Sequence, residues 1–243
     1  MTISNTSYFR RPPVMLEPKQ VIAFNGITYS IDICDLAFQR LQENLYFSSY
    51  PEGCEIRSTA IFSDVWTIIS NATIFQKLVS TQFKIDKRDL LFQKLVGIDA
   101  LRNSNQHIDE RIDEVILDNE LPIYGSISWY SREHEQPSFG KVISLDSGSF
   151  SYKKQITMKP VNPVGRSNQQ LVSAIEFTSV IKENLKFVQK TIDLNDLMEG
   201  LKFIVDFLEK QINDQLVNKE PLERHSHELS VTLYTRKVIS EVI

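Results

Sequence analysis

Apolar residues recur at the spacing of an α-helix in four stretches of this chain of 243 residues. The first begins at Asp32, which can cap it, and its apolar face consists of Ile33, Leu36, Ala37, Leu41 and Leu45. The second covers about 55–82 and the third covers 90–119. The last begins at Asp193 or Asn195, and its stripe consists of Leu197, Leu201, Ile204, Leu208 and Ile212. The apolar stripe of the second stretch consists of Ile61, Val65, Ile68, Ala72, Phe75 and Val79. Phe62, Trp66 and Ile69 widen this stripe at core spacing, so we expect the second helix to be buried on more than one side.

The third stretch is the clearest amphipathic run in the sequence. Its stripe consists of Leu91, Leu95, Ile98, Leu101, Asn105, Ile108, Ile112 and Val115. Asn105 is the one polar residue on this apolar track, and it indicates either a dimer interface or a break in the helix. Pro122 ends the helical pattern.

Strand signals lie on both sides of these helices. Asn25-Gly26 stands between two apolar runs and is typical of a hairpin turn, because both turn positions require positive φ. It predicts strands at about 20–24 and 27–31. After Pro122 the period changes from 3.6 to 2 residues, which indicates a change from helix to strand. Further predicted strands cover 140–146, 150–157, 171–180 and 184–191, the first pair and the last pair each forming a hairpin.

These patterns together predict an α+β fold. We expect a bundle of about four long helices, an antiparallel strand-rich segment between the third and last helices, and a short N-terminal hairpin. Residues 1–18 are predicted to form an extended arm, and 19–217 a single helical-bundle domain with the strand-rich insertion at about 122–191. Residues 218–243 form a C-terminal tail, either a strand or a short helix. The insertion is expected to pack on the flank of the bundle or to form a separate small sheet.

The composition is that of a folded protein without an obvious polyanion-binding surface. The formal net charge is −4, so any contact with nucleic acid must come from a local patch. Two cysteines are too few for a disulfide framework or a cysteine-based zinc site. No unbroken apolar run reaches the roughly 18 residues that span a bilayer, and the N-terminus lacks the apolar core of a secretory signal. We expect a cytoplasmic protein without a membrane partner, a metal or a cofactor.

The candidate chemistry lies inside the third helical stretch, at Arg102-Asn103-Ser104-Asn105-Gln106-His107. A histidine exchanges protons near neutral pH, and an arginine gives a permanent positive charge for a phosphate. Together they suit RNA cleavage without a metal ion. On a straight helix, however, Arg102 and His107 are about 140° apart, whereas Asn103 and His107 share a face. Convergence of Arg102 and His107 therefore requires a helix break near 103–105 or a partner chain.

The hexapeptide fits the pattern Arg-x(4–6)-His with Asn after the Arg, and in its helical setting it resembles the HEPN superfamily, the higher eukaryotes and prokaryotes nucleotide-binding domain. The resemblance covers the helices, roughly 31–118 and 194–216. It implies a dimeric, metal-independent endoribonuclease, a toxin or defence effector, with two motifs facing each other. Arg102 would stabilise phosphate charge, His107 would act as acid and base, and Asn103 would orient one of them. The motif lies in the middle of the third run, whereas the family carries it near the start of a late helix.

Another interpretation needs no catalysis. In it, Arg102 pairs with Asp99, Gln106 or Asp109 on a solvated helix face, and His107 belongs to a charged strip. The protein would then be a non-catalytic interaction protein or an antitoxin-type partner with a helical dimer interface. Two weaker candidates are a metal-binding pair, His225 and His227, and a basic patch that contains Lys153 and Lys154. Solvated polar segments explain both more simply.

Overall fold

The α+β class is confirmed, and the strands lie between the third and fourth α-helices as predicted. The computed structural model describes residues 2–50, 56–109, 122, 124–132, 140–147, 171–183 and 186–216. In chain order, the elements are α1 (Pro18–Ser48), α2 (Ser58–Phe83), a 3₁₀ helix (Leu90–Leu95), α3 (Ile98–Gln106), β1 (Ser126–Arg132), β2 (Gly140–Asp146), β3 (Val172–Glu183), β4 (Lys186–Asp193) and α4 (Leu194–Leu216). The predicted C-terminal tail lies outside the described residues.

Helix α2 is buried on more than one side, as its sequence predicts. All six residues of its predicted stripe are fully buried, and Phe62, Trp66 and Ile69 widen the buried surface. Helix α1 covers one side of α2 and runs antiparallel to it. The thiol of Cys34 donates a hydrogen bond to the backbone oxygen of Ile68, and nearer the C-terminal end of α1 the guanidinium of Arg40 pairs with Asp64. Burial of Cys34 in this interface raises the pKa of its thiol, so the thiol stays protonated and unreactive.

The predicted N-terminal hairpin is wrong, because Asn25-Gly26 lies inside α1. The buried residues of α1 follow helical spacing through this dipeptide, and they are Ala23, Phe24, Ile27, Thr28, Ser30, Ile31, Cys34, Ala37, Leu41 and Leu45. Gly26 faces α2 at a point where a Cβ atom would lie 2.8 Å from Cδ1 of Leu78. The side chain of Leu78 therefore packs into the space that the glycine leaves, and the long apolar face overrides the local turn signal.

The first helix also differs from its prediction at its start. Asp32 does not cap a helix; it lies within α1 and accepts two hydrogen bonds from Arg10, at 2.5 and 2.7 Å. Two residues that were predicted on the buried face, Ile33 and Leu36, are exposed. Helix α1 has 31 residues and packs against α2. This packing sets which face of α1 is buried, and that face is rotated around the helix axis relative to the face predicted for a shorter helix.

The N-terminal arm was predicted to be extended, but residues 2–17 form consecutive turns that pack on α1 and α2. Ile3 and Phe9 are fully buried. The ring of Phe9 lies 5.1 Å from the ring of Phe24 and 6.3 Å from the ring of Phe83, measured between centroids. Two buried side chains give this segment the apolar contacts that hold it on the helices.

The sheet has the order β2-β1-β3-β4, with every neighbouring pair antiparallel. The predicted pairing of the last two strands is confirmed, and its register places Glu183 opposite Lys186. Strand β2 matches the prediction at 140–146 and pairs with β1, whereas its predicted partner 150–157 lies outside the described residues. Between β1 and β3 the register shifts by one residue next to Ala174, which takes a positive φ of 52° in this bulge.

The strands pack on the helices around a shared core. Side chains from the N-terminal turns, all four helices, the 3₁₀ helix and strands β1, β3 and β4 belong to one contiguous buried cluster. The ring of Trp66 on α2 makes an edge-to-face contact with Phe177 on β3, at 5.1 Å. The predicted stripe of α4 is buried at Leu197, Leu201, Ile204 and Leu208. The strand block is therefore a flank of the helical core and not a separate sheet.

Helix α1 also meets the length and composition criteria for a membrane-spanning helix. It contains a window of 18 residues with a mean hydropathy of 1.3, and 44% of that window is buried inside the structure. A core helix of a soluble protein meets the same criteria. The cytoplasmic location thus stays a prediction.

The packing of the N-terminal turns predicts that Phe9→Ala destabilises the protein by about 3–5 kcal/mol, the usual effect of removing a fully buried phenylalanine. Urea denaturation followed by circular dichroism measures this difference in the free energy of unfolding. The matched control is Val14→Ala in the same segment, where the side chain is exposed and the change should stay within about 0.5 kcal/mol. Equal effects of the two substitutions would contradict the packing of this segment into the core.

Candidate functional site

The stretch 90–119, predicted as one long helix, is divided at Gly97. Residues Leu90–Leu95 form the 3₁₀ helix, and α3 begins only at Ile98 and ends at Gln106. Gly97 has a φ of 95°, a conformation that side chains with a Cβ rarely adopt, and this residue allows the chain to change direction. Residues 110–119 of the stretch, with Ile112 and Val115, lie outside the described residues. The candidate motif therefore occupies the second half of a short helix.

The rotation of α3 is fixed by Ile98, Leu101 and Ser104, which are all buried. The hydroxyl of Ser104 donates a hydrogen bond to the backbone oxygen of Val180. Val180 lies on β3, two residues beyond Thr178, where the pairing of β3 with β1 ends. The prediction of Asn105 as the polar residue on the buried track is therefore wrong by one position. The buried face of α3 advances in three-residue steps, from Ile98 to Leu101 and on to Ser104. The stripe of the longer predicted helix instead takes a four-residue step from Leu101, which leads to Asn105.

This rotation directs Arg102 and Asn103 toward an open, polar cavity of about 420 Å³, called the basic cavity below. The residues that line the basic cavity are Lys77, Lys87, Asp99, Ala100, Arg102, Asn103 and Lys182. They come from α2, the segment that follows α2, α3 and β3. Four cationic side chains share the cavity with one carboxylate, so its lining carries an excess of three positive charges. Such a cavity is suited to an anion with several oxygen atoms, such as a phosphate.

The single carboxylate of the basic cavity is already paired with lysines. One oxygen of Asp99 accepts a hydrogen bond from Nζ of Lys87 at 3.1 Å, and the other lies 3.4 Å from Nζ of Lys77. Arg102 makes no ion pair or hydrogen bond within the described part of the chain. Arg102 therefore does not form the predicted pair with Asp99, Gln106 or Asp109. The donors of the Arg102 guanidinium therefore have no acceptor within the described part of the chain.

His107 follows Arg102 but does not line the basic cavity. It is exposed and is the first residue beyond α3, where φ is −115° and ψ is 32°. The structure therefore brings Arg102 and Asn103 together and leaves His107 at the end of the helix. The helix break near 103–105, one of the two ways in which Arg102 and His107 could converge, is absent, because α3 continues through Gln106. Since His107 has left helical geometry, the offset of 140° no longer fixes the direction of its side chain.

A second, larger cavity of about 810 Å³ lies beside α2 and was not predicted from the sequence. It is lined by Ser58, Thr59, Phe62, Ser63, Trp66, Thr67, Ser70, Asn71, Asn105, Tyr124 and Ser147, none of which is charged. The indole nitrogen of Trp66 donates to the backbone oxygen of Tyr124 at 3.2 Å. Trp66 is buried, as predicted from its core spacing. The larger cavity and the basic cavity thus differ in charge and both border α2.

Metal and remaining sequence candidates add little to this site. No group of three or more His, Cys, Asp or Glu side chains that could hold a metal occurs among the residues that the structure describes. His225, His227, Lys153 and Lys154 lie outside those residues. The three lysines of the basic cavity were missed by sequence reasoning because each comes from a different element.

Comparison with known proteins does not assign this chain to a class. No family model matches it, and neither the curated proteins nor the solved structures contain a significant match. The resemblance to the HEPN superfamily therefore rests on the motif and the helices alone.

The contact of α3 with β3 predicts that Ser104→Ala destabilises the protein by about 1–3 kcal/mol, because the buried oxygen of Val180 loses its donor. The free energy of unfolding from chemical denaturation measures this effect. Gln106→Ala is the control on the same helix, since Gln106 is exposed and its replacement should change stability by less than about 0.5 kcal/mol. A neutral Ser104→Ala would mean that this hydrogen bond does not fix the rotation of α3.

Proposed function

We propose that this protein is an HEPN-like, metal-independent endoribonuclease. The observation that carries the proposal is Arg102, an arginine with no ion-pair partner among the described residues, in a cavity that also contains three lysines. An exposed histidine follows five residues later. Phosphate binding and proton transfer, the two requirements of metal-free RNA cleavage, thus have a candidate residue each.

Each residue of the motif has a separate role in this proposal. Arg102 binds the scissile phosphate through two of its nitrogen atoms and stabilises the charge that grows on the phosphate during cleavage. His107 removes the proton of the ribose 2′-hydroxyl, whose oxygen attacks the phosphorus, and a proton returns to the departing 5′-oxygen. The products are a 2′,3′-cyclic phosphate and a 5′-hydroxyl. Asn103 lines the basic cavity and orients one of these two residues.

The geometry of α3 favours a particular path for the RNA. At 1.5 Å per residue, the last residue of α3, Gln106, lies about 6 Å beyond Arg102 along the helix axis, and His107 follows it. We propose that a single strand passes over the C-terminal end of α3, with the scissile phosphate in the basic cavity and the attacking ribose near His107. The lysines then hold the adjacent phosphates, since they supply positive charge without a fixed geometry.

The proposal predicts that purified protein cleaves single-stranded RNA in EDTA and leaves 2′,3′-cyclic phosphate ends. Arg102→Ala and His107→Ala should each lower the cleavage rate by about 100-fold or more, the usual effect of losing a charge-stabilising donor or a general base. Arg102→Lys should also be impaired, because a lysine cannot bind a phosphate through two nitrogen atoms. The rates are measured by denaturing electrophoresis of end-labelled RNA.

Two controls accompany this experiment. Gln106→Ala changes an exposed polar residue of the same helix and should leave the rate unchanged. A mixture of Arg102→Ala and His107→Ala should stay inactive if each chain holds a complete site, and would recover activity if two chains share one. Cleavage that persists in both single variants would identify a contaminating nuclease and reject the proposal. The absence of cleavage on RNAs of varied sequence would reject it as well.

The basic cavity also predicts RNA binding that is separable from cleavage. In the His107→Ala background, Lys182→Glu should weaken binding of single-stranded RNA about tenfold. The slope of log affinity against log salt is negative, and Lys182→Glu should reduce its magnitude by about 0.7, the value for one phosphate contact to a single strand. Fluorescence anisotropy at several salt concentrations measures both quantities. Lys202→Glu on α4 is the matched control, since it changes the net charge equally at an exposed position outside the cavity. Equal effects of the two charge reversals would contradict a localised site.

A specific observation also favours the second candidate function, a non-catalytic interaction protein. Helix α1 exposes several large apolar side chains along its outer side. Exposed apolar surface of this kind is typical of protein contacts. If the cleavage experiment fails, a protein whose main activity is association is the function that the remaining observations support.

A further inference from the structure

The outer face of α1 carries a strip of exposed residues, called the α1 strip below. Its apolar members and their exposed fractions are Ile22 (70%), Tyr29 (60%), Ile33 (38%), Leu36 (55%) and Phe47 (59%). The polar members between them are Gln39, Arg40 and Glu43, all exposed. Steps of seven, four, three and eleven residues separate the apolar members, so all of them lie on one side of the helix. The polar members occupy the eleven-residue step between Leu36 and Phe47.

The α1 strip is large enough to form an interface. It extends over roughly 38 Å of helix, at 1.5 Å per residue. A tyrosine or phenylalanine buries about 150–250 Å² when fully covered, so the two rings alone offer on the order of 200–300 Å². Three aliphatic side chains add to this area. For two copies, the total reaches about 1,000 Å², the lower limit of a specific interface.

We propose that the α1 strip is a homodimer interface, in which α1 packs antiparallel against α1 of a second copy. In this dimer, the two-fold axis passes between Cys34 and Asp35. A residue of one copy then lies opposite the residue of the second copy for which the two residue numbers sum to 69. Ile33 then faces Leu36 of the second copy, and Ile22 faces Phe47. In this register, each apolar member of the strip meets an apolar residue, except Tyr29.

The polar members of the strip explain why the antiparallel arrangement is favoured. In the antiparallel register, Tyr29 faces Arg40 of the second copy, and a guanidinium over an aromatic ring is attractive. In a parallel dimer, Arg40 would face Arg40 and Glu43 would face Glu43, so like charges would meet at two positions. The side chain of Arg40 is 52% exposed even though it pairs with Asp64, which leaves part of it accessible to a ring.

This dimer does not rest on the proposed ribonuclease activity. The residues that line the basic cavity come from α2, the segment after it, α3 and β3, and none belongs to α1. Association through the α1 strip therefore involves neither the cavity nor His107. It differs from an arrangement in which two Arg-His motifs face each other across the interface.

Sedimentation velocity of the full chain at about 1–100 µM tests the dimer. We expect a mass near twice 28.1 kDa for the unmodified protein. Leu36→Glu should weaken the association at least about 100-fold, because it buries a carboxylate at the centre of the interface. Leu36 is exposed within one chain, so circular dichroism should show an unchanged fold. Phe203→Glu on α4 replaces an equally exposed apolar residue and should leave the dimer intact.

Disulfide trapping tests the register. Cys54 is first replaced by serine, and Cys34 is retained because it is buried and unreactive. The double variant Ile22→Cys and Phe47→Cys should form disulfide-linked dimers under mild oxidation. Ile22→Cys alone should not, because the two copies of residue 22 lie roughly 38 Å apart in the antiparallel register.

Several outcomes would overturn the proposal. A monomer at about 100 µM, or a dimer that is insensitive to Leu36→Glu, would show that a second copy does not cover the α1 strip. Efficient linkage of the single Ile22→Cys variant would show a parallel arrangement instead. A monomer that binds phosphatidylcholine vesicles through Leu36 would assign the strip to a membrane surface. A dimer that dissociates on Leu36→Glu and links only in the double cysteine variant supports it.

Discussion

The arrangement of this protein depends on the need of α2 to bury apolar side chains on more than one side. Its predicted stripe is completely removed from solvent, and each large apolar residue contributes about 1.5–3 kcal/mol when fully buried. Helix α1 covers one side, β3 covers the side of Trp66 through Phe177, and α3 packs nearby. The polar remainder of α2 borders both cavities, with hydroxyl groups lining the larger one and Lys77 the basic one. The position of the candidate site thus follows from how α2 is covered.

Hydrophobic periodicity predicted the long elements well and failed where a local signal competed with tertiary packing. Helices α2 and α4 and the pairing of β3 with β4 could be predicted, because each has an apolar pattern long enough to set its own period. Asn25-Gly26 is a strong turn signal, yet the glycine serves the close approach of α1 to Leu78. Gly97 had the opposite effect. It interrupts an apolar pattern that continues across it, so the pattern predicted one helix where the chain forms two.

The candidate site could be predicted only where it is local in sequence. Arg102, Asn103 and His107 form a short motif that is visible without a structure. Lys77, Lys87 and Lys182 are distant from that motif and from one another, and they meet it only after α2, α3 and β3 have packed together. The net charge of −4 gives no sign of this local positive excess. Sequence spacing also suggested Asp99 as a partner for Arg102, whereas in the structure two lysines pair with that carboxylate.

The unbroken helix α3 and the outer face of α1 together restrict how a catalytic site can be completed. Because α3 continues through Gln106, a break near 103–105 does not turn Arg102 toward His107. A second chain could supply the missing half, but an interface on α1 contains none of the residues that line the basic cavity. Under that dimer, each copy must complete its own site. In the proposed ribonuclease, the RNA then has to place one phosphodiester linkage within reach of both Arg102 and His107, which favours a flexible single strand over a stiff double helix. The excess of lysines is consistent with this requirement, since a flexible strand loses more freedom on binding and needs more phosphate contacts to offset that loss.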